Sequence, residues 1–356
     1  MSKYWSKVTK SLLPYVPGEQ PKDKKYIKLN TNESPYPPSP RVLEAIKNEA
    51  NEDLRLYPNP ECNELRTVIA KYYNLQEEEV FVGNGSDELL AFSFQTFFDP
   101  GRTILFPDIT YSFYPVYCQL FGIDYNTVTL DDDFNVPIDK FFMENGGVVI
   151  SNPNAPTAKY MPLKDIKAIV DFNKNSVVIV DEAYIDFGGE SAIKLIKDYP
   201  NLLVIQTLSK SRSLAGLRIA LALGNKELIK GLNMVKNSFN SYTVDRLALT
   251  GAIEAFRDEE YFHETRQKII FTRERTTESL KKIGFTVTDS KANFVFISHP
   301  RIKADIIFRR LREKGILVRY FEKHRIDNFL RVSIGTDNEM EAFIGALNEI
   351  LSENGL

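Results

Sequence analysis

The sequence predicts an α/β fold: a large domain with a mostly parallel central sheet flanked by helices, then a smaller α+β domain, with an N-terminal arm in front. Three observations predict it. Six short apolar runs, EVFVG, TILFP, GGVVIS, SVVIVDE, NLLVIQT and RIALALG, recur between Glu79 and Gly224. Runs that are apolar without alternation are strands buried on both faces, as in a parallel sheet covered by helices. Amphipathic stretches such as DELLAFSFQTFF, YSFYPVYCQLFG and PLKDIKAIVDFN lie between those runs and supply the covering layers. From Asp258 the character changes to one long charged helix, followed by short strands mixed with helices. A chain of 356 residues suits one large domain plus a smaller one.

Taken in order, residues 1–40 are rich in proline and show little periodicity, so they are expected to form an arm that joins the small domain or a partner subunit. Helical periodicity begins at Arg41 in RVLEAIKNEA. The alternating strands and helices then fill residues 41–257, the large domain. The small domain, residues 258–356, opens on the helix YFHETRQKIIFTRERTTESLKKI. Strand-like ANFVFIS, helix-like ADIIFRRLREKG, the strands ILVRY and FLRVSIG, and a last helix from Glu339 complete it.

Composition narrows the function. With 43% apolar and 26% charged residues the chain is expected to be fully ordered. A formal net charge of −3 with mixed signs argues against nucleic acid as a partner, and the short run Lys22, Lys24, Lys25 reads as a solvated loop. Two cysteines, Cys62 and Cys118, make no disulfide framework and read as small buried residues. His263, His299 and His324 are too scattered for a zinc site, so no metal is expected. MSKYWSKVTK lacks the apolar core of a signal peptide, and no run approaches the ~20 apolar residues of a membrane span, so a cytoplasmic protein is expected.

Four polar stretches fall where strands end, the edge at which open α/β sheets bind ligands. Asp181 and Glu182 end SVVIV; an acid there caps a helix or meets a ligand cation, because burying it unpaired is costly. In VGNGSDELL, Gly83 and Gly85 leave a strand and Ser86–Asp87 open a helix. The free N–H groups and the helix dipole suit a phosphate there, or Ser86 and Asp87 merely cap the helix. SNPNAPTAKYMPL makes a tight turn at another strand end. In TLSKSRSLAGLRI, Ser209 and Arg218 can both reach a phosphate, and Lys210 lies between them. A lysine beside a phosphate site and a strand-end aspartate is what pyridoxal 5'-phosphate requires. The amine condenses with the aldehyde, and the acid keeps the ring nitrogen protonated. The released lysine then serves as general base, typically worth ~10²–10⁴ in rate. A nicotinamide-binding fingerprint is excluded, since GNGSDE lacks the third glycine.

The order GNGSDE, TYSFY, SNPNAPT, DEAYIDF, TLSK…LAGLR and LRVSIGT resembles fold-type I pyridoxal-phosphate-dependent aminotransferases over nearly the whole chain. TNESPYPPSP, with DEAYIDF and TLSKSRSLAGLRI, is similar to the histidinol-phosphate branch of that family. The resemblance implies that Lys210 forms the Schiff base, Asp181 pairs with the ring nitrogen and Tyr184 donates to the ring oxygen. It also implies that Ser209, Arg218 and the backbone of Ser86 and Asp87 hold the phosphate, and that Tyr111 stacks on the ring. Tyr57 in YPN would reach the phosphate across a homodimer interface. The family's Asn-Asn-Pro-Thr-Gly block reads Asn154-Ala155-Pro156-Thr157-Ala158 here, so Asn154 is the nearest amide for the ring oxygen, or Tyr184 serves it alone. Pro38 and Ala220 also stand where glycines are common.

Arg331 in LRVSIGT matches the arginine that holds a substrate's distal anion. Arg319 in ILVRY matches a second arginine of the phosphate-binding branch, or forms a surface salt bridge. Two arginines at neighbouring strand ends suit a dianion. Tyr15 matches an arm residue that closes over substrate, or packs at an interface. The implied reaction carries the amino group of L-histidinol phosphate to 2-oxoglutarate, in histidine biosynthesis. An aromatic amino acid aminotransferase and a threonine-phosphate decarboxylase stay open as alternatives. The implied partners are a small-molecule amino donor, a 2-oxo acid and a second copy of the chain. Phe92, Phe94, Phe97 and Phe98 read as core or interface, and Arg212 is expected in solvent.

Overall fold

The structure is a computed structural model that describes residues 2–355. The arm begins with one short helix, α1 (Lys7–Ser11), capped by Ser6, whose Oγ accepts from the Thr9 N–H at 3.1 Å. It then runs to strand β1 (Ile27–Lys28), which pairs in parallel with Ile316–Leu317 far along the chain. Helix α2 (Pro40–Glu49) starts on Ser39 with a proline at its first position, where the fixed φ favours helix and the missing N–H costs nothing. Helix α3 (Asn63–Tyr73) follows.

Strands and helices then alternate: β2 (Val80–Gly83), α4 (Gly85–Phe97), β3 (Ile104–Pro107), α5 (Tyr114–Phe121), β4 (Tyr125–Val128), β5 (Gly147–Ser151), α6 (Leu163–Phe172), β6 (Val178–Asp181), β7 (Leu202–Thr207), β8 (Ala220–Gly224), α7 (Lys226–Phe239) and α8 (Arg246–Arg257). Strands β2 to β8 form one sheet in the order β2-β8-β7-β6-β5-β3-β4, in which only β8 runs against its neighbours. All six apolar runs are strands of this sheet. Its seventh strand, β4, carries the sequence YNTV at an edge, with three exposed positions, so it has no apolar run to announce it. Successive strand residues feed opposite cores. Val148, Ile150, Val178, Val180, Leu202 and Val204 belong to one cluster, and Val149, Ile179, Leu203 and Ile205 to the other. That is the period of two of a strand buried on both faces.

The C-terminal part comprises α9 (Glu259–Lys282), β9 (Thr286–Val287), β10 (Phe294–Ser298), α10 (Ala304–Glu313), β11 (Ile316–Leu317), β12 (Arg319–Tyr320), β13 (Leu330–Ser333) and α11 (Asp337–Glu353). Strands β12, β13, β10 and β9 form an antiparallel sheet in that order. The last helix begins two residues before the expected Glu339, because Thr336 and Glu339 form a reciprocal capping box. The core of this part also takes in Leu29 from the arm and Ala155, Ala158 and Tyr184 from loops of the large sheet. The strand ends of one sheet are thereby tied to the other.

Arg212 is buried rather than solvated. Its guanidinium lies 4.1 Å from the Phe256 ring centre and 4.0 Å from that of Phe262, and donates to the Ala255 carbonyl. The aromatic faces replace water around the cation. Phe92, Phe94 and Phe98 are buried in the core and Phe97 packs partly against it. Among the described residues, no helix is long and apolar enough to cross a membrane, and no group of His, Cys, Asp or Glu is placed to hold a metal.

Candidate active site

The register of the large sheet sets the carboxyl ends of its parallel strands side by side, with the amino end of antiparallel β8 among them: Ser151 pairs with Asp181, Asp181 with Ile205, and both Thr207 and Gly83 with Ala220. Beyond them lies a cavity of about 420 Å³. Eleven residues expected from the sequence line it: Tyr15, Ser86, Asp87, Tyr111, Asp181, Tyr184, Ser209, Lys210, Arg218, Arg319 and Arg331. Asn154 and Tyr57 do not.

Lys210 follows β7 through a short turn. Its Nζ donates to the Thr31 carbonyl at 3.1 Å and stands 5.9 Å from the centre of the Tyr184 ring. Burial in the cavity pulls the amine down to about 8; Arg331 adds to the effect and Glu33 opposes it. An amine in that range is partly unprotonated near neutral pH, as a nucleophile and base must be.

Asp181 is the last residue of β6 and is 4% exposed. It accepts from Tyr114 Oη at 3.0 Å and from the Ala183 N–H at 3.2 Å. Burial pushes its carboxyl up to about 6 against those two bonds, and no cation of the described residues offsets it. Such a group is satisfied by a cation brought by a ligand.

The first turn of α4 supplies the opposite chemistry. Asn84 gives its N-terminus no side-chain cap; its own N–H donates to Glu88 Oε2 at 2.6 Å, and those of Ser86 and Asp87 are left for an anion. Gly85 has φ +82°, and a Cβ on it would lie 2.6 Å from the Arg218 guanidinium. Only glycine lets the cation rest against this turn. Asp87 orients two neighbours, accepting from Tyr111 Oη at 2.7 Å and from Arg218 Nη2 at 3.3 Å. Ser209 Oγ is paired with Thr207 Oγ1 at 3.0 Å.

On the other side, the β12–β13 register sets Arg319 directly opposite Arg331. Like charges so placed repel unless they share an anion. Burial lowers the Arg331 pKa, and Arg319 adds to the effect. Arg331 Nη2 donates to the Asn30 carbonyl at 2.9 Å, while its buried Nε has no partner. Arg319 gives its bonds to the arm, Nη2 to the Val16 carbonyl at 3.1 Å and Nη1 to that of Pro17 at 3.3 Å. These carbonyls, rather than a surface carboxylate, hold it. Tyr15, just before them, stacks on Phe113 with ring centres 4.6 Å apart and lies 6.3 Å from Tyr111.

Asn154, the amide expected nearest the ring oxygen, does not line this cavity. Its amide donates to the Ile109 carbonyl at 2.8 Å and Thr157 Oγ1 at 2.9 Å, and accepts from Thr110 Oγ1 at 2.9 Å. It is spent on its own loop, and Ala155 lines the cavity instead. Ala158 has φ +65°, which explains why a glycine is usual at that position. Tyr57 is 78% exposed and stacks on Tyr242 with ring centres 4.5 Å apart.

Two side chains of the site were missed. Tyr114 lies within YSFYP but gives no signal that it reaches Asp181. Asn32, within TNESPYPPSP, donates from Nδ2 to Tyr184 Oη at 3.0 Å. Burial raises the Tyr184 hydroxyl above its usual range, opposed by Arg331 and by this bond.

Comparison with known proteins gives a consistent result. The model of the family "Aminotransferase class I and II" matches residues 24–347. A histidinol-phosphate aminotransferase from Clostridium acetobutylicum is 64% identical over 352 residues, covering 99% of this chain and 100% of that protein. One from Clostridium botulinum is 62% identical over 353 residues, again covering 99% and 100%. Among solved structures, histidinol-phosphate aminotransferase from Sinorhizobium meliloti in complex with pyridoxal-5'-phosphate matches with a TM-score of 0.90 at 25% identity, covering 99% of each chain.

Proposed function

The chain belongs to the class I and II aminotransferase family, and from that membership we propose that its cavity binds pyridoxal 5'-phosphate and moves the amino group of L-histidinol phosphate to 2-oxoglutarate. The products are imidazole acetol phosphate and L-glutamate, a step of histidine biosynthesis. The observation that carries this reading is the pair Arg319 and Arg331, face to face across two strands in the cavity that also holds Lys210 and Asp181. Two guanidiniums suit a phosphate dianion. An aromatic amino acid brings only a carboxylate monoanion and leaves the pair half-neutralised.

The residues fit the cofactor. A buried acid without a cation, a depressed amine and an uncapped helix N-terminus beside an arginine answer its ring nitrogen, aldehyde and phosphate in turn. When bound, the cofactor supplies an aldehyde that condenses with amines and a protonated ring that draws electrons from the substrate carbon.

The chain does the rest. Lys210 would hold the cofactor and, once displaced by the substrate amine, would take the proton from the substrate carbon and deliver it to the cofactor's aldehyde carbon, which leaves the amino group with the cofactor. Asp181 keeps the ring nitrogen protonated, and that cation brings the acid back to its ionised form. Tyr184 donates to the ring oxygen and Tyr111 lies on the ring face. Ser209, Arg218 and the N–H groups of Ser86 and Asp87 hold the phosphate. The partner subunit's Tyr57 completes that cradle in a cytoplasmic homodimer. Arg331 and Arg319 take the substrate phosphate, Arg331 takes a carboxylate of glutamate in the second half-reaction, and Tyr15 closes over both. In this reading residues 41–257 carry the cofactor, residues 258–356 carry the anion-binding arginines, and the arm, residues 1–40, closes between them.

A single half-reaction tests it. The cofactor-loaded protein is given L-histidinol phosphate, L-phenylalanine or L-threonine phosphate, each alone. Rapid bleaching of the visible band with histidinol phosphate alone is expected. Preferential bleaching with phenylalanine, or carbon dioxide release from threonine phosphate, would overturn the assignment.

A further inference from the structure

The loop that carries Ala155 leaves the ring oxygen without its amide donor, and the hydrogen bonds around Asn32 show what stands in. Asn32 is 1% exposed and has φ +56°, a left-handed conformation that asparagine tolerates. Its own N–H donates to Ser333 Oγ at 2.8 Å. Having accepted there, the Ser333 hydroxyl gives its proton to Asn32 Oδ1 at 3.0 Å. That fixes the amide, so Nδ2 is the atom that faces Tyr184 Oη at 3.0 Å. Were the amide reversed, Oδ1 would take the Tyr184 proton and the Ser333 hydroxyl would lose its acceptor. The segment is braced on both sides. The Asn32 carbonyl accepts from Asn293 Nδ2 at 3.0 Å, and the Thr31 carbonyl accepts from Lys210.

We infer that Asn32 is a positioning residue: by donating to Tyr184 Oη it turns the tyrosine's proton toward the cofactor's ring oxygen, in a chain where Ala155 supplies no amide for that oxygen. The inference rests on the reading that the cavity binds pyridoxal phosphate. Proton direction passes from the Asn32 backbone through Ser333, the Asn32 amide and Tyr184 into the cavity. Because Ser333 lies two residues from Arg331 on β13, the strand that offers the substrate's anion site also sets this relay.

The readout is the pH midpoint of the visible absorbance change in cofactor-loaded protein without substrate. When the proton leaves the nitrogen shared by Lys210 and the cofactor, the ring oxygen carries the released charge. A donor to that oxygen therefore lowers the midpoint. Asn32→Asp keeps the size but replaces the donor with an acceptor that captures the Tyr184 proton. An upward shift of about one pH unit is expected. The added charge would also raise the midpoint, so the same substitution is made in Tyr184→Phe protein, where only that smaller charge effect should remain. Asn32→Gly adds no charge, keeps the positive φ and should shift the midpoint in the same direction. A shift that is undiminished in Tyr184→Phe protein, or an Asn32→Gly protein with an unmoved midpoint, overturns the inference. A parent protein that shows no visible cofactor band after reconstitution would instead sink the reading of the cavity.

Discussion

Replacing Asp181 by asparagine should have opposite effects on the cofactor-free and cofactor-loaded protein. In the fold its carboxyl is pushed from 3.8 to about 6, mainly by burial. At about 1.36 kcal/mol per unit, that displacement is about 3 kcal/mol against the ionised form. The sign follows from proton binding. Between pH 4 and 6 the folded state keeps a proton that the unfolded state has released, so this group's contribution to stability falls as pH rises through that window. Asparagine removes the charge but accepts the Tyr114 and Ala183 donors less well, a loss of about 1 kcal/mol. The net gain for cofactor-free Asp181→Asn protein is then about 2 kcal/mol at pH 8, shrinking to under half of that at pH 5. Thermal melts of the cofactor-free proteins at the two pH values measure it, with an expected rise of roughly 3–5 °C at pH 8. With pyridoxal phosphate bound the order should reverse, because only the carboxylate pairs with the ring cation. A variant that melts below the parent at pH 8 without cofactor, with parallel pH profiles, would refute the claim that Asp181 is held at a cost for a ligand cation.

Three further outcomes are expected. Lys210→Ala should lose at least ~10³ in turnover, and borohydride should no longer fix the cofactor to the protein, as mass spectrometry of the reduced sample would show. Arg319→Ala removes the bonds to Val16 and Pro17, so tryptic cleavage at Lys22, Lys24 or Lys25 should quicken. Its KM for histidinol phosphate should rise about 10–100-fold, more than that for glutamate. Gly85→Ala places a methyl 2.6 Å from the Arg218 guanidinium at a φ of +82°. A cofactor titration should show affinity down at least ~10-fold, with the secondary structure unchanged by circular dichroism.

How much of this could be read from the sequence depended on whether the signal was local. The central strands were legible because burial on both faces leaves unbroken apolar runs, and β4 was not, because an edge strand with three exposed positions leaves none. Lys210, Asp181, Ser86 and Arg218 were legible because each lies at a strand end, where the topology converges. Asn154 misled because its neighbour in sequence faces the cavity while its own amide turns into the loop, a choice made by Thr110 and Ile109 more than forty residues away. Asn32 and Tyr114 were invisible for the same reason: their partners, Tyr184 and Asp181, lie 152 and 67 residues distant. Arg212 was placed in solvent because its aromatic shell comes from Tyr72, Phe256 and Phe262, none of them near it in sequence.

The two acids that close β6 show why geometry and not residue type assigns function here. Asp181 and Glu182 are neighbours, both are buried, and burial pushes both upward, to about 6 and about 7. The ladder continues past the strand's end, with the Glu182 N–H donating to the Ile205 carbonyl at 2.7 Å, so consecutive side chains take opposite faces of the sheet. Glu182 turns to the side where the protein meets its needs: the Ala192 N–H at 2.6 Å, Gln206 Nε2 at 2.9 Å and the Ser191 hydroxyl all donate to it. Those donors leave it little call for a ligand, and it does not line the cavity. Asp181 turns to the cavity with two donors and no cation, across from an amine that burial keeps partly unprotonated. A raised pKa alone would not have told the two acids apart, since burial pushes both upward to a similar degree. What singles out Asp181 is an unmet need for positive charge in a space large enough to receive it.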